Sequence, residues 1–156
     1  MTKETSLALS GGCQCGAIRY RASSFLDWPH LCHCRMCQKA VGGPFAALAP
    51  VLLEDFSWTR GEAGVFRSST AAYRHFCPAC GTPLTFGYGA KPWIAVTIGS
   101  LDEPGRVPPV RQYGIESRLD WSTPDRLACL PAEETSVTLD GQPARIESCQ
   151  HPDHDT

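Results

Sequence analysis

The sequence predicts one mostly β domain with short helical pieces, and three observations carry that expectation. Its 156 residues match one domain at the usual size of about 100–200 residues. Apolar residues make up 42%, sufficient for a core; a chain of this size buries about 70% of its unfolded surface. Short stretches rich in β-branched and aromatic residues recur between turn signals, with 14 glycines and 13 prolines spread along the chain.

Residues 17–21 alternate at period two and read as a strand. Residues 45–51, 56–60, 64–67, 72–76 and 82–88 have strand length and composition, and 93–98 is the strongest candidate. Helix is expected only at 35–41 and 125–129. Beyond Pro131, residues 136–141 could form one edge strand or hairpin arm, whereas 150–156 has no apolar residue except proline. The folded domain is therefore placed at 6–147, followed by a flexible polar tail at 148–156.

Fourteen Lys and Arg against 16 Asp and Glu leave a net charge of −2, without the basic excess by which a general nucleic-acid binder neutralises phosphates. The longest nearly apolar run, 45–53, is short of the roughly 20 residues of a membrane span, and Pro50 interrupts it. Residues 1–6 lack the apolar core of a secretion signal. These features lead to the expectation of a soluble, cytoplasmic protein with no membrane partner.

Cysteine is the informative residue. Nine are present, an odd number, where a disulfide framework prefers an even one. Seven fall into tight groups, with Cys129 and Cys149 standing alone. In a reducing compartment such groups indicate metal or redox chemistry.

Cys13 and Cys15 would share a face in an extended strand, with Gly16 permitting a tight turn after them. Cys77 and Cys80 are spaced to grip one ion from a turn, with Pro78 fixing φ and Gly81 allowing a left-handed backbone. Together the four form the Cys₄ set of a structural zinc site. Closing the loop of about 60 residues between them costs about 4 kcal/mol, against about 10–16 kcal/mol of apparent zinc affinity. Iron is the alternative occupant of such a thiolate set.

Cys32 and Cys34 share a strand face, and Cys37 lies one helical turn beyond Cys34 if a helix starts there. Three thiolates then converge, and three protein ligands are the pattern of a reactive zinc with an open position. Completion of this site by His33, or by Cys129, Cys149, His151 or His154 folding back, stays open. So does a metal-free redox thiol group.

These residues resemble the glutathione-dependent formaldehyde-activating enzyme (GFA) family, which includes the centromere protein V-like proteins. The resemblance starts at Gly11-Gly12-Cys13-Gln14-Cys15-Gly16 and continues through Cys32-His33-Cys34-Arg35-Met36-Cys37-Gln38 and Phe76-Cys77-Pro78-Ala79-Cys80-Gly81, covering roughly residues 8 to 130. It implies a β-tent (Mss4-like) fold and two zinc ions per chain. One would be structural, on Cys13, Cys15, Cys77 and Cys80; the other would be at an active site on Cys32, Cys34 and Cys37. The implied reaction joins glutathione to formaldehyde and is classed as a carbon–sulfur lyase reaction. Members often carry a His ahead of a polar stretch ending in Pro-Trp; here Gln112 and Asp120 replace the His and the Pro before Trp121. That departure bears on the reaction and leaves the fold untouched.

The enzymatic reading takes Cys32, Cys34 and Cys37 as the catalytic centre, where a bound thiol loses its proton and adds to a small aldehyde. Arg35 and Arg118 are candidates for substrate carboxylates, each with a solvated surface charge as its plainer role. Trp121 and Phe45 are candidate pocket walls, with ordinary packing as the alternative. His75 is a candidate neighbour of the Cys77 site. Two rival readings stand beside this one: a zinc-stabilised binding module, and a carrier that holds a thiol or zinc without turnover.

Overall fold

The computed structural model describes residues 7–132 and 148–156, together with the backbone of Thr138–Leu139 and Gln142–Pro143. In chain order the elements are β1 (Leu9–Gly12), β2 (Arg19–Ala22), β3 (His30–Cys32), α1 (Arg35–Val41), β4 (Ala46–Leu52), β5 (Phe56–Arg60) and β6 (Gly64–Arg67). There follow β7 (Ala72–Phe76), β8 (Pro83–Tyr88), β9 (Trp93–Thr97), β10 (Arg111–Tyr113) and α2 (Pro124–Ala128). Of the segment 136–141, Thr138–Leu139 forms β11 and pairs with Gln142–Pro143 as β12; the rest of that segment lies outside the described residues. The expected mostly β class holds, and the β-tent assignment with it. No helix among the described residues is long and apolar enough to cross a membrane.

A small sheet, β1-β2-β5, lies with a larger one ordered β10-β3-β4-β9-β8-β7-β6. Pairing in both is antiparallel except for β10 against β3. The continuous apolar run of β4 reflects burial on both faces. Ala49 and Val51 join the main core with Leu9, Tyr20 and Leu84, while Ala46 and Leu48 pack on the opposite face with Cys37. Pro50 is tolerated because its β3-side neighbours end at Leu48, and the Leu26 N–H donates to its free carbonyl at 2.8 Å. The short strands β1 and β10 were not expected, and β3 only through the strand face read for Cys32 and Cys34; their sequences carry Gly, His, Cys and Arg, and their partners make them strands.

A buried ion pair stitches the two parts of the chain. Arg19 on β2 donates to Asp102 at 2.9 Å, with side chains only 2% and 8% exposed, and Ser10 donates to the same carboxylate. Burial pushes the Asp102 carboxyl up, but Arg19 and Ser10 outweigh it and hold it below its ordinary value. A depressed carboxylate contributes stability that is present above its unfolded pKa of about 4 and lost as pH falls through the folded value. Asp102→Asn leaves buried Arg19 with the part-exposed Asp155, 3.9 Å away, in place of its direct partner and is expected to cost about 3 kcal/mol at pH 7. Urea titrations should show that gap to wild type shrinking as pH falls below 4.

The tail, expected from composition to be flexible, lies against the first hairpin. The His151 N–H donates to the Gln14 carbonyl at 2.7 Å, and Arg19 and Arg60 donate to the carbonyls of His154 and Thr156 at 3.2 and 2.8 Å. Its polar groups meet arginines of β2 and β5, a match that composition alone does not reveal.

Candidate metal centres

The four-cysteine group is built from two similar turns. Past β1, the Gly16 N–H donates to the Cys13 carbonyl at 3.0 Å, and the Ile18 N–H reaches the Cys13 Sγ at 3.2 Å. Past β7, the Gly81 N–H donates to the Cys77 carbonyl at 2.9 Å. Gly16 and Gly81 have φ of 76° and 78°, the left-handed conformation that glycine adopts without a Cβ penalty. Cys13 and Cys15 are thus presented by a turn rather than by a regular strand, because β1 ends at Gly12. All four Sγ atoms lie within 4.8 Å of one another. The Cys13–Cys15 and Cys15–Cys77 separations are 3.5 and 3.9 Å, near the edge of about 3.8 Å for a tetrahedron with metal–sulfur bonds of about 2.3 Å. Burial pushes the Cys13 thiol up to about 12, whereas Thr82 and backbone donors overcome burial and bring Cys80 down to about 6.

Cys32 ends β3, Cys34 is the N-cap of α1, and Cys37 lies in the first turn, so a strand end and a helix start deliver three thiols to one point. Their Sγ atoms lie within 4.8 Å of one another, and Cys32 and Cys34 are 3.5 Å apart. The Cys34 Sγ accepts the Cys37 N–H at 3.4 Å, taking the role of a capping oxygen. Gln38 locks this corner by donating to the carbonyls of His33 and Ser117 at 2.8 and 3.0 Å. Gly114, with φ of 67°, backs it so closely that a Cβ there would meet the Cys34 nitrogen at 2.8 Å. Among the described residues, no His, Cys, Asp or Glu joins the three as a fourth ligand. Each group can therefore hold a metal ion, one within a four-sulfur set and the other with three thiols.

The three thiols line a cavity of about 360 Å³ with Trp28, Leu48, Phe86 and Tyr113 among its walls. Arg74 also lines it: its guanidinium donates to the Cys37 Sγ at 3.3 Å and stands 4.8 Å over the Phe86 ring. The hydrogen bond with Cys32 brings Cys37 down to about 5 against the effect of burial, with Arg74 adding to the shift. Cys32 moves strongly upward, through Cys37 and through burial.

Of the other residues singled out from sequence, Arg118 and Trp121 do not line this cavity, and Trp121 is 56% exposed. Arg35 lines an adjoining cavity and donates to Gln38. Phe45 packs on His33 outside the thiol cavity. His33 turns away from the thiols, and its Nε2 donates to the Gln112 carboxamide at 2.9 Å, so the unusual Gln112 serves to hold His33. His75 bonds Thr85 at 2.6 Å and packs against Trp58. Cys129 and Cys149 are exposed and outside both groups. Arg74 and Tyr113 were missed. The i, i+2 spacing of Ala72 and Arg74 was available as a signal, since both line the cavity.

Comparison with known proteins agrees with this architecture. A crystal structure of a Rhodobacter sphaeroides protein superposes with a TM-score of 0.55 at 24% identity, covering 67% of this chain and 99% of that one, a likeness of fold. An uncharacterized lyase of Schizosaccharomyces pombe is 36% identical over 88 residues, which span 54% of this chain and 62% of that protein. A Halomonas elongata protein, provisionally named a glutathione-dependent formaldehyde-activating enzyme, is 28% identical over 125 residues, covering 74% of this chain and 80% of that protein. The family model described as glutathione-dependent formaldehyde-activating enzyme matches residues 8–116, across both cysteine groups, and the chain belongs to that family.

Proposed function

We propose that this chain is a zinc-dependent carbon–sulfur lyase-type enzyme that binds a small, glutathione-like thiol at Cys32, Cys34 and Cys37 and adds it to a small aldehyde such as formaldehyde. The observation that carries this reading is the contrast between the two groups: four thiols, enough to close a metal site, with Cys13 and Cys77 in the main core, against three that line a larger, mostly apolar cavity. The soft, all-sulfur donor sets fit zinc, with Cys13, Cys15, Cys77 and Cys80 as the structural site. When bound by the three thiols, zinc would lower the pKa of an incoming thiol and template its approach.

The protein's own residues supply the remainder. Phe86 and Tyr113 line the cavity beside the thiols, and Arg74 sets a fixed positive charge there. Ser69 lines the same cavity and accepts the Ala71 and Ala72 N–H groups at 3.2 and 3.0 Å, leaving its hydroxyl proton to donate to an aldehyde oxygen. The substrate sulfur bonds the carbonyl carbon, the carbonyl π pair moves to oxygen, and the proton lost by the thiol ends there, giving a hemithioacetal. The nine free thiols suit the cytoplasm, which is part of the same proposal.

The test is NMR with ¹³C-formaldehyde, glutathione and the zinc-loaded chain. Hemithioacetal exchange should accelerate at least tenfold over the enzyme-free mixture. Glutathione binding without any acceleration would favour a carrier, and no binding would favour a binding module.

A further inference from the structure

Five ring side chains line the cavity that holds the three thiols, and they belong to one continuous belt. Phe86 meets Tyr88 edge-on with centroids 5.0 Å apart, and Tyr88 meets Trp93 in the same way at 5.8 Å. Trp93 braces Trp28 at 5.1 Å, Trp28 stacks on His30 at 5.5 Å, and His30 meets Tyr113 at 4.9 Å. All but Trp93 line the cavity. Both ends of the belt reach the thiols: Tyr113 stands opposite Cys32 in register, and Phe86 lies under the guanidinium that donates to Cys37. The rings hold one another by edge-to-face contact, so this surface is formed before any ligand arrives. Core packing alone does not account for it, because Tyr88 and Tyr113 are exposed.

Formaldehyde makes little use of such a surface. It has two heavy atoms and fills little more space than a water molecule, about 30 Å³, in a cavity of about 360 Å³. A second cavity of about 380 Å³ shares Met36, Ser68 and Arg74 with the first. The polar body of a peptide thiol can extend that way, which leaves the ring belt to the other reactant. Ser69, proposed above to donate to the aldehyde oxygen, accepts the Ala72 N–H at 3.0 Å, and Tyr88 is the register partner of Ala72. An aldehyde held at its oxygen by Ser69 therefore has a ring within reach of its substituent. Resting on the function proposed above, we infer that the aldehyde this site favours carries an aromatic ring, seated on the belt between Tyr88 and Tyr113. The hemithioacetal step is unchanged: the sulfur bonds the carbonyl carbon, the π pair moves to oxygen, and the proton lost by the thiol ends on that oxygen.

Exchange NMR with glutathione and the zinc-loaded chain tests this with propanal, 3-phenylpropanal and 3-cyclohexylpropanal, whose aldehyde groups are electronically alike. The readout is the acceleration of each over its enzyme-free mixture at low aldehyde concentration. The acceleration for 3-phenylpropanal is expected to be at least tenfold that for propanal, from burial of the phenyl group. It should be at least threefold that for 3-cyclohexylpropanal, from contact between rings. Cyclohexyl is the more hydrophobic substituent, so that bias runs against the expected order. The double variant Tyr88→Leu/Tyr113→Leu keeps apolar side chains without their rings and should reduce the phenyl-over-cyclohexyl ratio to under twofold. Tyr88→Phe/Tyr113→Phe should preserve it. Far-UV circular dichroism checks that the leucine variant is folded, and the wild-type order of the three aldehydes decides the inference if it is not.

Acceleration of 3-phenylpropanal no greater than that of propanal overturns the inference. So does a phenyl-over-cyclohexyl preference that is absent from the wild type or survives the leucine variant. In each case the enzymatic reading stands. Absence of acceleration with all three aldehydes instead removes that reading, and this inference with it.

Discussion

Cys77→Ser is expected to abolish the folded protein. Cys77 has no solvent exposure and belongs to the main hydrophobic core as well as to the four-sulfur group. Serine there buries a hydroxyl among apolar neighbours at a cost of about 1–3 kcal/mol if unpaired. The larger effect is loss of the site: a structural zinc contributes about 10–16 kcal/mol of apparent binding free energy, against a typical net stability of about 5–15 kcal/mol. The cross-link joins the turn after β1 to the turn after β7, so its loss removes one of the ties between the small sheet and the large one. Soluble yield and far-UV circular dichroism check this outcome. A Cys77→Ser protein with wild-type melting behaviour would show that the four-sulfur group does not hold the fold together.

Cys34→Ser should behave in the opposite way. Cys34 is half-buried at the cavity, and its Sγ caps α1 through the Cys37 N–H. Serine is among the preferred N-cap residues, so the helix start keeps its acceptor and stability should change by no more than about 1 kcal/mol. A serine hydroxyl is a poor substitute for a thiolate on a soft metal. The variant should therefore remain folded, bind one zinc per chain where the wild type is expected to bind two, and lack the glutathione adduct expected of the wild type. Native mass spectrometry with and without glutathione reads all three properties on one sample. Unfolding of Cys34→Ser to the same degree as Cys77→Ser would remove the distinction between a structural and a reactive site.

Both expectations follow from features that the sequence encodes locally. The Cys-x-x-Cys-Gly of 77–81 and the Cys-x-Cys-Gly of 13–16 specify turns because their glycines take a left-handed φ that other residues avoid. The 32–37 spacing places three thiols together because a strand end running into a helix start repeats the same geometry wherever it occurs. Helix α1 lies where the sequence places it, and most strands lie close to their expected limits, because their signals come from neighbours within a few residues.

Non-local pairing decided the rest. β3 is a strand because it lies between β4 and β10, and its parallel pairing with β10 brings Tyr113 opposite Cys32 at the cavity. The sequence offered Arg35 and Arg118 as cations for the substrate, one next to the cysteines in the chain. The structure sets Arg74 against Cys37, from 37 residues further along. That arginine reaches the thiols because the sheet order places β7 and β8 on the same side of β9, across from α1. The tail followed the same rule, since its partners are arginines of β2 and β5. The sequence by itself determined which cysteines act together, because ligand spacing and turn chemistry are short-range. Which charges and ring faces surround them was decided only by tertiary structure, because strand order and register are properties of the whole folded chain.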